Sequence, residues 1–208
     1  MTKIKTFFGV ALFATLLFTA CEPKNPLNYD KGVVINGVTW ATCNVDAFGT
    51  FASNPESYGK IYQWNRPTAY NSTSEGAITN WDKICPEGNF WEKANDPSPA
   101  GWRVPTMQEI VSLFEKDKVK NEWVEQNGVN GRKFTDLSTN KSIFLPAVGY
   151  RTYVNNNGTP HNIGKSGCYW SSTNKGSEGA YHLVFSNDSA ELKSNYRVLG
   201  ISVRSVAE

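Results

Sequence analysis

The chain has 208 residues, with 21 Lys and Arg against 19 Asp and Glu, and aromatic residues make up 13%, including seven Trp and nine Tyr. A net charge of +2 without blocks of one sign offers no basic stripe, so nucleic acid is excluded as an expected partner. The length suits one domain with a real core, and the aromatic-rich, sparsely charged composition suits an extracellular β-rich domain.

Lys3 and Lys5 precede an apolar run from Phe7 to Phe18 that ends in Phe18-Thr19-Ala20-Cys21, the layout of a signal peptide with a lipobox. The run is about a dozen residues, short of the roughly 20 that a spanning helix needs. Residues 1–20 are thus expected to be removed, leaving Cys21 as the mature N-terminus with lipid on its sulfur and acyl chains such as palmitate anchoring it to a membrane. The alternative is an ordinary secretory peptide with a coincidental cysteine. Both place the protein outside the cytoplasm, and the lipid reading places it at an outer membrane, on the periplasmic or the cell-surface face. Removal of Lys3 and Lys5 leaves basic and acidic residues equal in number. Lipid on Cys21 leaves Cys43, Cys85 and Cys168, which allows one bridge among three pairings or three free thiols.

Residues 21–31 contain Pro23, Asn25, Pro26 and Asn28 and read as a tether. A domain over residues 32–208 follows. Asn36-Gly37 lies between two β-rich runs of Val33–Trp40 and predicts a type I′ hairpin. Tyr58–Trp64 is a further strand candidate, and the polar stretch Arg66–Ala100 reads as a long irregular region. Thr106-Met107-Gln108-Glu109 fits a capping box, and Ile110, Leu113 and Phe114 extend it to an expected helix of roughly three turns. From Glu122 strand patterns return, with Asn127-Gly128 and Asn130-Gly131 as turn signals and Ser142–Arg151 as an apolar run broken by Pro146. Near the C-terminus Tyr181, Leu183 and Phe185 alternate with His182, Val184 and Ser186, and Ala190 and Leu192 with Glu191 and Lys193. That alternation predicts one core face and one available face. Ile201 and Val203 form the expected last strand.

His161 and His182 lie in no catalytic motif, and no nucleophile elbow, phosphate loop or zinc spacing occurs. Asp82, Glu87, Glu92 and Asp96 match no calcium loop and read as solvated acids. Neither metal nor cofactor is expected. Trp81 and Trp91 lie in loop sequence and are the better candidates for stacking a sugar ring, although core packing is the first expectation for them as for Trp40, Trp64, Trp102, Trp123 and Trp170.

Four segments in order bring a family into view: Gly59–Trp64 (GKIYQW), Pro99–Thr106 (PAGWRVPT), Leu145–Arg151 (LPAVGYR), and Tyr169–Thr173 (YWSST) leading to Gly200–Arg204 (GISVR). Over about residues 33–208 the chain resembles the Fibrobacter succinogenes major paralogous domain. The resemblance implies a secreted or lipid-anchored protein and an α+β fold. That fold would be a single C-type-lectin-like domain of short antiparallel strands, few helices and long loops, related to formylglycine-generating enzymes. The family pattern often has cysteines where this chain has Ser98 and Ser205, so the resemblance carries no disulfide over. Cys168 lacks the neighbouring cysteine that the formylglycine-generating relatives use, so enzymatic function is not carried over either.

Lectin-like folds expose variable side chains on a face built from their C-terminal strands, here about Asn174–Leu199. The resemblance therefore implies a ligand face of Asn174, Lys175, Glu178, His182, Asn187, Glu191, Lys193, Asn195, Tyr196 and Arg197, a mix of donors, acceptors and an aromatic suited to adaptable binding. An ordinary solvated sheet edge is the alternative. The expected function is a non-catalytic module binding a glycan or an envelope protein. A structural component of the envelope comes second, and an enzyme relying on His161, His182 or Cys168 last.

Overall fold

A computed structural model describes residues 30–152 and 157–208; the expected signal peptide, Cys21 and nearly all of the expected tether lie outside the described residues. In chain order the strands are β1 (Val33–Ile35), β2 (Val38–Trp40), β3 (Lys60–Tyr62), β4 (Tyr70–Asn71), β5 (Trp102–Arg103), β6 (Val119–Gln126), β7 (Val129–Asp136) and β8 (Ser142–Pro146). They continue with β9 (Tyr150–Thr152), β10 (Thr159–His161), β11 (Ser166–Lys175), β12 (Gly179–Ser186), β13 (Ala190–Tyr196), β14 (Ile201–Ser202) and β15 (Val206–Ala207). One α-helix, α1 (Met107–Ser112), and a 3-10 turn at Lys93–Asn95 complete the described elements.

A six-stranded sheet in the order β13-β12-β11-β14-β3-β4 lies centrally, antiparallel throughout except where β11 meets β14. The antiparallel sheet β6-β7-β8, the sheet β1-β2-β15-β5 and the pair β9-β10 complete a β-rich fold of short strands. The hairpin turns at Asn36-Gly37 and Asn127-Gly128 hold both residues at positive φ, as type I′ geometry requires.

Along the inner strands β12, β11, β14 and β3 both faces of the central sheet are largely buried, which corrects the expectation of one available face there, while the edge strand β13 keeps its exposed residues. Ile61, Tyr169, Leu183 and Phe185 point into a core shared with Ile110 of α1, Leu113 just after it, Phe134, Ile143 and Leu145. Their strand neighbours Tyr62, Cys168, Trp170 and Ala180 point the other way, into a second core with Trp64, Trp91, Leu199 and Val203. The period of two explains this split, and the second face closes because distant chain covers it. Past the two-residue β14, two indoles tie β11 to the β3 segment. Trp64 Nε1 donates to the Ser171 carbonyl at 2.9 Å and Trp170 Nε1 to that of Tyr62 at 2.8 Å.

Three arginines, each 1% exposed, pin the irregular segments by donating to carbonyls. Arg151 reaches the carbonyls of Asn71, Ser74, Gly76 and Gly158. Arg197 holds those of Gly176, Gly179, Pro86 and Gly88 and lies 4.3 Å from the Trp64 ring centre. Arg204 grips Asn44 Oδ1 and the carbonyls of Ala41, Thr42 and Phe144. Carbonyl dipoles and an aromatic face here replace the hydration that a buried cation loses. Asp136 is the acidic counterpart. It accepts from the Ser138 hydroxyl and from the backbone N–H groups of Asn36, Thr139 and Ser138, which hold its carboxyl well below the usual range and tie the first hairpin to the β7–β8 turn.

The capping box forms at Thr106 and Glu109, but α1 has only six residues rather than three turns. Its last carbonyls are met by 3-10 bonds from Leu113 and Phe114 and by Asn36 Nδ2 on Ser112 at 3.1 Å, and β6 starts at Val119. Asn130-Gly131 is likewise not a turn. It lies within β7, where a Cβ on Gly131 would stand 2.4 Å from the Leu145 carbonyl oxygen, so the glycine serves close strand approach.

Candidate functional site

The C-terminal strands divide the expected ligand residues among five places. Asn174, Lys175 and Glu178 lie at the β11–β12 end and Asn187 in the β12–β13 turn. Eight residues of β12 separate those ends, about 25 Å at the rise of a strand, so one small ligand cannot touch both. Lys175 lies over the Tyr181 ring at 5.5 Å. The β12–β13 turn is held by Arg132, whose Nη1 donates to the carbonyls of Ser186 and Ser189. Tyr196, 48% exposed, alternates onto the face of β13 opposite Lys193 and Asn195.

Two residues of the set are not surface groups. Arg197 is the buried carbonyl clamp described above, which corrects its assignment to the ligand face. His182 is 4% exposed and its Nδ1 is buried without a hydrogen-bond partner. The register places it in a row between Trp170 of β11 and Lys193 of β13, with the indole edge-to-face at 5.7 Å. Apolar-polar alternation marks it as outward, and burial of both sheet faces makes it inward.

Glu191, Lys193 and Asn195 are exposed on the same face of the edge strand β13, opposite Val184, His182 and Ala180 of β12. Above this row lies a cavity of about 140 Å³. Cys168, Val184, Leu199 and Ile201 make its apolar walls, and Tyr150, His182, Lys193 and Asn195 its polar positions. Tyr150 is held by the exposed His161, stacked at 5.5 Å and 16°. Lys193 Nζ lies 2.8 Å from Glu191, both side chains about half-exposed, a pair that gives way cheaply to a ligand. The sequence thus pointed to His182, Lys193 and Asn195 and missed Tyr150, Cys168, Leu199 and Ile201. No local signal brings residues from β9, β11 and the segment after β13 to one spot.

Cys168 and His182 are both neutral at pH 7. Burial pushes the Cys168 thiol up to about 12, so it is a poor nucleophile. Burial, aided by the Lys193 ammonium, pulls His182 down to about 4. The unfolded chain takes up this proton near pH 6.5 and the folded one only near 4, so stability present above pH 6.5 is lost as pH falls from 6.5 to 4. The loss amounts to about 3 kcal/mol. His182→Phe, which also removes the orphaned nitrogen, is expected to flatten that acid limb. Melting temperatures of both proteins between pH 4 and 7.5 check this, and parallel curves would refute it.

Cys43, Cys85 and Cys168 are free thiols. Ser98 Oγ and Ser205 Oγ lie 2.7 Å apart in a hydrogen bond. Trp81 and Trp91 are buried, at 4% and 7% exposure, whereas Trp102 and Trp123 are half-buried. The four loop carboxylates do not converge: Asp82 pairs with Arg66 at 3.3 Å and Asp96 accepts the N–H groups of Ser98 and Val104. Among the described residues no three His, Cys, Asp or Glu are gathered as a metal site, and no helix is long and apolar enough to cross a membrane. Residues 120–206, from β6 into β15 and including every cavity residue, match the model of a family described as a domain of unknown function, DUF8237. No curated protein and no solved structure matches the chain.

Proposed function

We propose that the protein is a lipid-anchored, extracytoplasmic binding module with a C-type-lectin-like domain, which takes a glycan or envelope-protein ligand at the cavity over β11–β13. The observation that carries the reading is that cavity. Its apolar walls are fixed in the second core, and its polar rim stands on the exposed edge strand β13. Fixed walls lower the entropic cost of binding, and a few polar groups give orientation. Its volume of about 140 Å³ suits one ring-sized group of a larger ligand. A protonated Cys168 and a neutral, weakly basic His182 at pH 7 favour recognition over covalent or acid–base chemistry. The Ser98–Ser205 contact supports the family resemblance, since the two positions that often carry cysteine in that family lie within bonding reach here.

The lipid reading is tested by intact mass of the membrane-extracted protein, expected to lack residues 1–20 and to carry a diacylglycerol on Cys21. Cys21→Ser is expected to leave the protein unprocessed, and an unmodified wild-type chain starting at Met1 refutes the anchor. The binding reading is tested by screening the full chain against glycans and envelope proteins. Lys193→Ala and Asn195→Ala, both exposed, are expected to weaken a hit about tenfold, about 1.4 kcal/mol, with the melting temperature kept. A hit that neither variant weakens removes this cavity from consideration.

A further inference from the structure

Away from that cavity, a cleft of about 420 Å³ opens between the 3-10 turn Lys93–Asn95 and the β5–β15 pair. We propose that it is a binding subsite for a neutral sugar, whose ring stacks on Trp102 and whose neighbouring hydroxyls are gripped by Lys93 and Glu208.

The aromatic walls are preorganised. Trp102 is half-buried and held edge-to-face by Phe51 at 5.4 Å and 86°. Trp91 is fixed by its Nε1 bond to the Asn95 carbonyl at 3.0 Å and by Trp64 at 5.7 Å. Rings locked in this way lose little freedom when a ligand arrives, and an indole face suits the C–H face of a pyranose. The cleft volume falls within the range of small-molecule sites.

Two of the four charged groups in the lining are already committed. Arg103 donates through both terminal nitrogens to the Glu109 carboxylate, at 2.8 and 2.6 Å. Asp96 spends one oxygen on each of two backbone N–H groups, those of Ser98 and Val104. Lys93 and Glu208 remain. Lys93 Nζ stands 3.1 Å from Glu208 Oε1, with the side chains 88% and 45% exposed, and a pair so exposed opens at little cost. Once open it presents three N–H donors beside a carboxylate acceptor, the complement of two adjacent hydroxyls that each donate and accept. Bonds from the Trp102 N–H to the Pro99 carbonyl and from the Glu208 N–H to that of Gly101 hold both sides of the cleft in place. Two cations and two carboxylates cancel across the lining, so nothing in the cleft rewards a phosphate or a uronate. A neutral saccharide fits the charge pattern best.

The test uses the full chain in a detergent without a sugar headgroup, titrated calorimetrically with cellobiose, maltose, mannobiose and diacetylchitobiose, and with glucuronate as the anionic control. At least one neutral disaccharide is expected to bind saturably, glucuronate at least tenfold more weakly. Lys93→Ala and Glu208→Ala are each expected to weaken binding about tenfold with the melting temperature kept, while Lys120→Ala, at an exposed ion pair on β6, leaves it unchanged. No saturation by any neutral sugar up to about 20 mM, well beyond a millimolar Kd, overturns the proposal. So does preference for glucuronate, or affinity unchanged in both cleft variants. Loss of sugar binding in Lys193→Ala alone also overturns it and leaves the β13 cavity as the sugar site. Failure of the Lys193 variant to affect any other ligand, with the cleft variants behaving as expected, sinks only the reading of that cavity.

Discussion

Replacing Arg204 with alanine is expected to remove about 4 kcal/mol of folding stability, since breaking a buried charged network at one partner costs roughly 3–5 kcal/mol. The side chain is 1% exposed and makes five hydrogen bonds, two to Asn44 Oδ1 and one each to the carbonyls of Ala41, Thr42 and Phe144. Alanine leaves those oxygens without this partner in a largely buried site. Asn44 in turn donates to the Tyr58 carbonyl and to Tyr169 Oη, and that hydroxyl donates to the Pro146 carbonyl at 2.7 Å. The guanidinium therefore organises β8, β11 and the segment after β2 together. Total stabilities of about 5–15 kcal/mol make such a loss close to disabling. Thermal unfolding of the variant is expected roughly 8–16 °C lower. Arg103→Ala is the control, because its ion pair with Glu109 is 37% and 20% exposed and its removal costs about 1 kcal/mol. Equal shifts for the two variants would show that burial of Arg204 does not determine its weight.

The features legible in the sequence are those that local chemistry decides. Asn36-Gly37 makes its turn because both residues tolerate positive φ, and Thr106 and Glu109 cap a helix because each side chain reaches a free N–H three residues away. Where a distant segment decides, local reading fails. Gly131 looks like a turn glycine until β8 is seen pressing against it. Leu113 and Phe114 continue a helical spacing, yet Asn36, on another hairpin, meets the Ser112 carbonyl and the chain turns to form β6. His182 and Arg197 carry the strongest lesson. Polar residues alternating with apolar ones in an antiparallel strand ordinarily face solvent, and that prior holds for Glu191, Lys193 and Asn195. It fails one strand inward, because the loop around Pro86 and Gly88 and the β9–β10 pair cover that face. The carbonyls of that loop are what Arg197 binds. A long irregular segment has many carbonyls without strand partners, and buried arginine satisfies several at once. Such a segment in a β-rich domain is therefore the sequence context in which an arginine deserves an inward reading.

Introducing a covalent link between residues 98 and 205 is expected to raise the stability of this chain substantially. The two Oγ atoms already touch at 2.7 Å, and Ser205 is fully buried. Both backbones are fixed around them, since the Ser98 N–H donates to Asp96 Oδ1 and the Ser205 carbonyl accepts from Ala41. Ser98→Cys with Ser205→Cys would close a loop of 107 residues, for which chain entropy sets an upper limit of about 4.7 kcal/mol. Native strain lowers such gains, so a rise of about 2–4 kcal/mol is expected, seen as a higher melting temperature that a reductant reverses. Each single variant should lack the gain, because a lone thiol there only replaces a hydrogen-bonded hydroxyl. The native thiols compete little: Cys168 is 4% exposed with its proton firmly held, and burial raises Cys43 and Cys85 as well. Mass of the unreduced peptides identifies the pair formed. Two persistent thiols at 98 and 205 under oxidising conditions would show that the contact between the serines does not bring the backbones within reach of a bridge.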